Sequence, residues 1–225
     1  QLATAVGALL PQVSLAQIVS GHRELYGRIL REARALQLGG GSTALGLCLE
    51  HLALLANDHE PVFLLAPRGA ELRSCALFLH QVGTRSGSPF EAIDAGDLPR
   101  DLEGIVGATE GGTLLVGQLD EANQEAQSAL ESSMRGAYTQ RVRFVFGSSY
   151  SPEQLVEIHG FDPGFVALLS RHLVRIPLLS ERPADMGQIV ATFCAELEPH
   201  RGVLLSDGAR AALADFAPPA SLAEL

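Results

Sequence analysis

The stretch "LLAPRGAELRS", residues 64–74, joins an apolar strand to an amphipathic helix through a short turn. We predict the strand over 61–65 and the helix over about 70–82, where apolar residues recur at helical spacing from Leu72 to Leu79. In many nucleotide-binding folds such a turn is a glycine-rich loop that ends in lysine and cradles phosphate. All 16 basic residues of this chain are arginine, so no lysine can stand at the end of this loop.

The composition predicts a folded protein with one large core. Of the 225 residues, 47% are apolar, which suffices for a single domain of α/β size with or without a small appendage. The formal net charge of −10 disfavours direct DNA binding through the overall field, with a local arginine patch as the alternative. No apolar run reaches the roughly 20 residues of a membrane span, and we expect a cytoplasmic protein.

The cysteines and histidines predict neither a metal site nor a disulfide framework. The three cysteines (Cys48, Cys75 and Cys194) lie far apart in apolar helical stretches, without the Cys-x-x-Cys spacing of metal and redox sites. The seven histidines are scattered and form no closely spaced pair. We therefore expect buried, reduced thiols and no metal ion or other cofactor.

Strand and helix patterns alternate along the middle of the chain. After 61–65, further strands are predicted over 88–96, 111–117, 141–149 and 172–178, and helices over 43–56, 70–82 and 121–135. Ser42 is the expected N-cap of the first of these helices. Strands connected through helical crossovers predict a parallel five-stranded sheet with helices on both faces.

The two ends of the chain have a different, wholly helical pattern. Residues 14–36 place apolar side chains on one face of an amphipathic helix, and residues 186–197 and 206–216 are also helical in pattern. We therefore divide the chain into an N-terminal helical segment or linker (1–38), an α/β domain (39–183) and the start of a helical lid (184–225).

Five segments of the sequence resemble, in order, the AAA+ domain of bacterial enhancer-binding proteins, the activators of sigma-54 RNA polymerase. The segments are "SPFEAIDAGDLPRDL", "GGTLLV", "VRFVFGSS", "RIPLLSERPADM" and "LSDGARAALADFAPPASLAEL". The resemblance covers about residues 38–225. It implies a P-loop NTPase-like α/β domain with a small helical lid, in a protein of bacterial transcription regulation or signalling.

The resemblance also shows which residues occupy the ATPase positions. The first glycine of the phosphate loop corresponds to Ala66, the third glycine to Glu71, the lysine to Leu72 and the next residue to Arg73, while Gly69 is kept. The Walker B aspartate and glutamate correspond to Gly117 and Gln118, the two arginine fingers to Asp162 and Leu168, and the lid sensor arginine to Ala223. The resemblance therefore implies a vestigial nucleotide site.

Two carboxylates and two shortened connections complete this comparison. Asp120 and Glu121 follow the third strand and could replace the lost Walker B pair, but we expect them to begin the next helix, whose N-terminus favours acids. The connection from Leu102 to Thr113 is too short for the loop by which the family contacts sigma-54, and a second hairpin is reduced to "RGAYTQR". We expect no contact with sigma-54.

Three functions remain open at this point. The first is a catalytically inactive AAA+-like domain that acts as a scaffold for protein interaction or regulation. The second is a sensor that binds a small anionic ligand, such as a cyclic dinucleotide, through Arg68, Arg73 and Arg182. The third is an NTPase with an unorthodox site. For the scaffold we expect protein partners or self-association. We expect the chain to be either a monomer or a two-fold dimer built on helix 14–36.

Overall fold

The computed structural model describes residues 38, 41–67, 71–98, 102–135 and 141–190, together with Ser206 and Gly208. The predicted helix 14–36 and most of the predicted lid lie outside these residues. Within them, no helix is both long and apolar enough to cross a membrane.

A parallel sheet of five strands forms the centre of the molecule. Its strand order is β2-β3-β4-β1-β5, and every neighbouring pair is parallel. The strands are β1 Val62–Leu65, β2 Phe90–Asp94, β3 Thr113–Gly117, β4 Arg143–Ser148 and β5 His172–Arg175. The five-stranded parallel sheet predicted from the sequence is confirmed, with each strand shorter than or equal to its predicted range.

Six helices among the described residues connect and cover the strands. They are α1 Thr43–Leu55, α2 Leu72–Val82, α3 Glu103–Ala108, α4 Gln124–Arg135, α5 Pro152–His159 and α6 Pro163–Leu169. Ser42 is the N-cap of α1, as predicted, and accepts a hydrogen bond from the Leu45 amide. Residues 186–190 begin the predicted lid as a helix. Helix α3 and a turn fill the short connection from Leu102 to Thr113.

Two packed layers sandwich the sheet. On one face, α1 and α2 cover alternate strand residues such as Val62 and Leu64. On the other face, the helices from α3 to α6 cover Phe63 and its neighbours, Phe144 and Phe146. The inner strands β3 and β4 are buried along their whole length. A strand covered on both faces is mostly apolar, which explains the apolar runs in the sequence; Thr113, Arg143 and Ser148 are buried polar exceptions.

Arg143 is a buried cation that connects the start of β4 to the end of α1. Its side chain is almost fully buried, and its guanidinium donates to the carbonyl oxygens of Ala56 at 2.8 Å and Leu55 at 2.5 Å. The last carbonyls of a helix have no partner within it, and they carry the negative end of its dipole. Burial lowers the pKa of Arg143 to about 10, so the side chain remains charged at neutral pH.

Two buried thiols meet where α1 packs on α2. Cys48 and Cys75 are both free and buried, which confirms the expectation for this pair, while Cys194 lies outside the described residues. A hydrogen bond between them raises the pKa of Cys75 and lowers that of Cys48, and burial raises the pKa of Cys75 further.

Candidate functional site

A cavity among the described residues lies at the carboxyl ends of the strands. Its volume is about 570 Å³. Ligands of open parallel α/β sheets bind at this edge, in the crevice outside the carboxyl ends of the strands. The turn after β1, the first residues of α2 and the ends of β2, β3 and β4 surround the cavity, which is lined by Ala66, Pro67, Leu72, Arg73, Ala92, Ile93, Asp94, Asp97, Leu115, Gly117, Gln118, Asp120, Gly147, Ser148 and Ser149.

Leu72, the first residue of α2, packs against the backbone of two strands. A Cβ atom built on Gly147 of β4 would lie 2.6 Å from Cδ1 of Leu72 and 3.0 Å from its Cγ. A Cβ on Gly117 of β3 would lie 3.7 Å from Cδ2 of the same leucine. The leucine side chain therefore occupies the space directly above β4, and Gly147 is needed to leave that space open.

We expect Gly147→Ala to destabilise the protein by about 1–3 kcal/mol, because the added methyl group overlaps the Leu72 side chain. The double variant Gly147→Ala with Leu72→Ala should lose less stability than the sum of the two single variants, since the smaller side chain removes the overlap. Urea unfolding of the four proteins measures this coupling. Strictly additive losses would show that Leu72 and Gly147 do not compete for the same space.

Glu71 and Arg182 form a buried ion pair beside Leu72. Only 1% of the Arg182 side chain and 8% of the Glu71 side chain are exposed. Nη2 of Arg182 donates to Oε1 of Glu71, while Nε and Nη1 have no partner among the described residues. Glu71 is the N-cap residue of α2, but its side chain makes no capping hydrogen bond. The carboxylate binds the Arg182 guanidinium instead.

Asp94 fills the space beside Gly117 from the neighbouring strand. A Cβ on Gly117 would lie 2.6 Å from Oδ1 of Asp94. Oδ2 of Asp94 accepts a hydrogen bond from Nε2 of Gln118 at 2.7 Å. Gln118 has a φ of 47°, the one non-glycine residue with positive φ among the described residues. This left-handed backbone is rare for a residue with a side chain and marks local strain at the end of β3.

A family model described as a sigma-54 interaction domain matches residues 40–179. This chain belongs to that family. A curated relative, the DNA-binding transcriptional regulator NtrC of Bradyrhizobium sp. (strain RP501 Parasponia), is 26% identical over 192 residues. That match covers 72% of this chain and 40% of NtrC, so the chain spans less than half the length of this relative.

Solved structures of NtrX from Brucella abortus share the fold of this sigma-54 interaction domain. One superimposes with a TM-score of 0.70 at 18% identity and covers 93% of this chain and 54% of NtrX. Another, a complex of NtrX with ATP, gives a TM-score of 0.67 at 18% identity and covers 100% and 62% of the two chains. At this identity the likeness establishes the AAA+ type of α/β fold.

The sigma-54 interaction domain brings many of the sequence-predicted positions into one place. Ala66, Leu72, Arg73, Gly117 and Gln118 all line the cavity, and Glu71 lies directly before Leu72. Arg68, Gly69 and Ala223 lie outside the described residues. The phosphate-loop and Walker B positions therefore meet at the strand ends, as the family resemblance implies.

The remaining predicted positions lie elsewhere in the domain. Asp162 caps the N-terminus of α6 by accepting a hydrogen bond from the Phe165 amide at 2.8 Å. Leu168 is partly buried against the core beneath α6. Arg182 does not line the cavity and pairs with Glu71.

Asp120 differs from its sequence-based interpretation. Helix α4 begins at Gln124, not Glu121, because residues Leu119–Glu121 form a separate 3₁₀ turn and Asn123 accepts a hydrogen bond from the Ala126 amide. Asp120 therefore does not begin a helix. It lines the cavity, is mostly buried, and accepts a hydrogen bond from the hydroxyl of Ser148 at 2.8 Å.

The described lining of the cavity is predominantly negative. Among these residues, three carry carboxylates, Asp94, Asp97 and Asp120, and one, Arg73, carries a guanidinium. Sequence reasoning missed Asp94, Asp97 and the Ser148–Asp120 hydrogen bond. Their position at or directly after the carboxyl ends of strands β2, β3 and β4 is the signal that could have found them. Among the described residues, no cluster of three or more histidine, cysteine or acidic side chains has metal-site geometry.

Proposed function

We propose that this sigma-54 interaction domain neither binds nor hydrolyses ATP and acts as a scaffold for protein interaction or regulation in a cytoplasmic bacterial transcription regulator. The observation that carries the proposal is the packing of Leu72 onto Gly147. A P-loop needs a lysine ammonium at this place to reach the β- and γ-phosphates. An apolar side chain here offers no charge to phosphate and occupies the space above β4.

The ion pair beside Leu72 supports the same proposal. A carboxylate at residue 71 repels phosphate, and its pairing with buried Arg182 uses the nearest buried cation for an internal contact. The groups that would hold Mg²⁺ and stabilise the transition state are also replaced, by Gly117, Gln118, Asp162 and Leu168. Loss of one arginine finger alone reduces phosphoryl transfer by orders of magnitude.

The cavity's charge argues against the two alternatives. An anionic ligand such as a cyclic dinucleotide would face Asp94, Asp97 and Asp120 with Arg73 as the cation of the described lining. An unorthodox NTPase could use the carboxylates to hold Mg²⁺, but Arg73 would be its one cation for the phosphates among the described lining residues. The scaffold function needs neither ligand. It also needs no sigma-54 contact, in keeping with the short connection occupied by α3.

Calorimetric titration tests the proposal directly. We expect no heat of binding at micromolar concentrations for ATP with Mg²⁺ or for cyclic di-GMP. NtrX from Brucella abortus, which has been crystallised with ATP, is the positive control. Micromolar ATP binding would contradict the proposal, and micromolar cyclic di-GMP binding without ATP binding would establish the sensor instead.

A further inference from the structure

We propose that Glu71 is a tethered anion: its carboxylate takes the place of a bound phosphate at the start of α2 and holds the Arg182 segment on the α/β domain without any ligand. The Arg182 segment is residues 179–190. The proposal rests on the proposed function in one respect, since it requires that no nucleotide phosphate occupy this site in the native chain.

The burial of Arg182 gives the first argument. A guanidinium that is 99% buried needs an anion, because an uncompensated buried charge costs several kcal/mol. The carboxylate of Glu71 supplies that anion, while Nε and Nη1 have no partner among the described residues. Among the described residues, Arg182 thus has two donor nitrogens that its single contact with Glu71 does not use.

The position of Glu71 gives the second argument. Glu71 lies at the N-terminus of the 11-residue helix α2, where unpaired backbone amides and the helix dipole favour a negative charge. An arginine together with a helix N-terminus is a combination that recognises phosphate groups. Here the arginine binds a side chain of the protein itself, that of the N-cap residue of α2.

A second contact fixes the same segment to the start of α1. Asp185 is fully buried and accepts two hydrogen bonds from Ser42, one from the amide at 2.9 Å and one from the hydroxyl at 2.6 Å. Ser42 is in turn the N-cap of α1. The segment is therefore tied to the N-termini of two helices, through Arg182 to α2 and through Asp185 to α1.

The consequence concerns how the lid begins. Met186 and Ile189 of the segment pack with Leu179 in a small apolar cluster, so the segment forms one unit that Arg182 and Asp185 attach to the domain. With Glu71 in place, the position of this segment does not depend on a nucleotide.

Anion rescue of a Glu71 variant tests the proposal on the full chain. We expect Glu71→Ala to lower the melting temperature by about 10 °C, because it leaves a buried guanidinium without its anion. Inorganic phosphate should raise this melting temperature saturably, by about 4 °C at ten times its dissociation constant, compared with chloride of equal ionic strength. Hydrogen exchange of residues 186–190 should accelerate in Glu71→Ala and slow again with phosphate.

Two controls make the result specific. Phosphate should not raise the melting temperature saturably in the wild type, because the Glu71 carboxylate already occupies the site. It should not do so in the double variant Glu71→Ala with Arg182→Leu either, because the guanidinium that would bind phosphate is absent. Equal phosphate effects in all three proteins would overturn the proposal, as would an unchanged melting temperature for Glu71→Ala.

If Glu71→Ala does not fold in either salt, Glu71→Gln decides, because it keeps the volume and removes the charge. A wild-type melting temperature for Glu71→Gln overturns the proposal, and a fall of several degrees supports it. Failure of the proposed function would appear separately, as ATP binding by the wild type.

Discussion

Arg143→Met should lower the free energy of unfolding by about 4 kcal/mol, the largest loss we expect from one substitution in this domain. Methionine keeps an unbranched apolar side chain but donates no hydrogen bond, so the carbonyls of Leu55 and Ala56 lose their partners at a buried site. Each buried polar group left without a partner costs about 1–3 kcal/mol. Urea denaturation followed by circular dichroism measures the loss.

Two matched variants show whether burial and hydrogen bonding cause this loss. Arg143→Lys should lose less, because an ammonium can still donate to one carbonyl. Arg171→Met removes an arginine that pairs with Glu60 on the surface, where both side chains are about half exposed, and should change stability by less than about 1 kcal/mol. If Arg171→Met lowers the free energy of unfolding as much as Arg143→Met does, the loss of stability comes from removing an arginine charge and not from the buried hydrogen bonds.

Leu72→Lys should fail to produce ATP hydrolysis, with turnover at least about 1,000-fold below that of an active sigma-54 interaction domain. The lysine would restore one contact with phosphate, while Glu71 stays beside it and, on the proposed function, the Mg²⁺ ligands and arginine fingers remain replaced. Release of inorganic phosphate measures turnover. A rate within tenfold of the active domain would refute the proposed loss of function.

An aspartate at position 117, the Walker B position that the family resemblance implies, should not restore ATP hydrolysis either, for a reason specific to this structure. The Cβ of a residue at position 117 would lie 2.6 Å from Oδ1 of Asp94, so Gly117→Asp brings a side chain into an occupied space and places two carboxylates together. Gly117→Asp with Asp94→Ala is the matched control, and it should be more stable than Gly117→Asp alone. Equal stabilities would show that Asp94 moves aside at little cost.

The sheet could be predicted from the sequence, whereas part of the helical layer could not. Strands β3 and β4 are buried on both faces and contain the apolar runs 114–116 and 144–146, which predict their position. Helices α5 and α6 are short, with eight and seven residues, so their periodicity is weak. Their caps were the available signal: Ser151 and Gln154 form a capping box around Pro152, and Asp162 precedes Pro163.

The contacts of the site depend on tertiary structure. The sequence places Leu72 and Glu71 at phosphate-loop positions, but it does not reveal that Leu72 packs on Gly147. Likewise, Arg182 lies 111 residues from Glu71, and charges this far apart in sequence give no indication of their pairing. The prediction that Asp120 begins the next α-helix is wrong, because a 3₁₀ turn and the start of an α-helix favour the same residues.

The meeting of Cys48 and Cys75 makes the packing of α1 on α2 observable by chemistry. A thiol reagent needs exposed thiolate, and both sulfurs are buried in the closed protein. Alkylation at these two positions therefore proceeds only while the two helices are separated, and its rate measures how often this separation occurs. Ser42 and Glu71 are the N-cap residues of the same two helices. The labelling rate of Cys48 and Cys75 therefore measures how stably these helices remain packed when Glu71 binds Arg182.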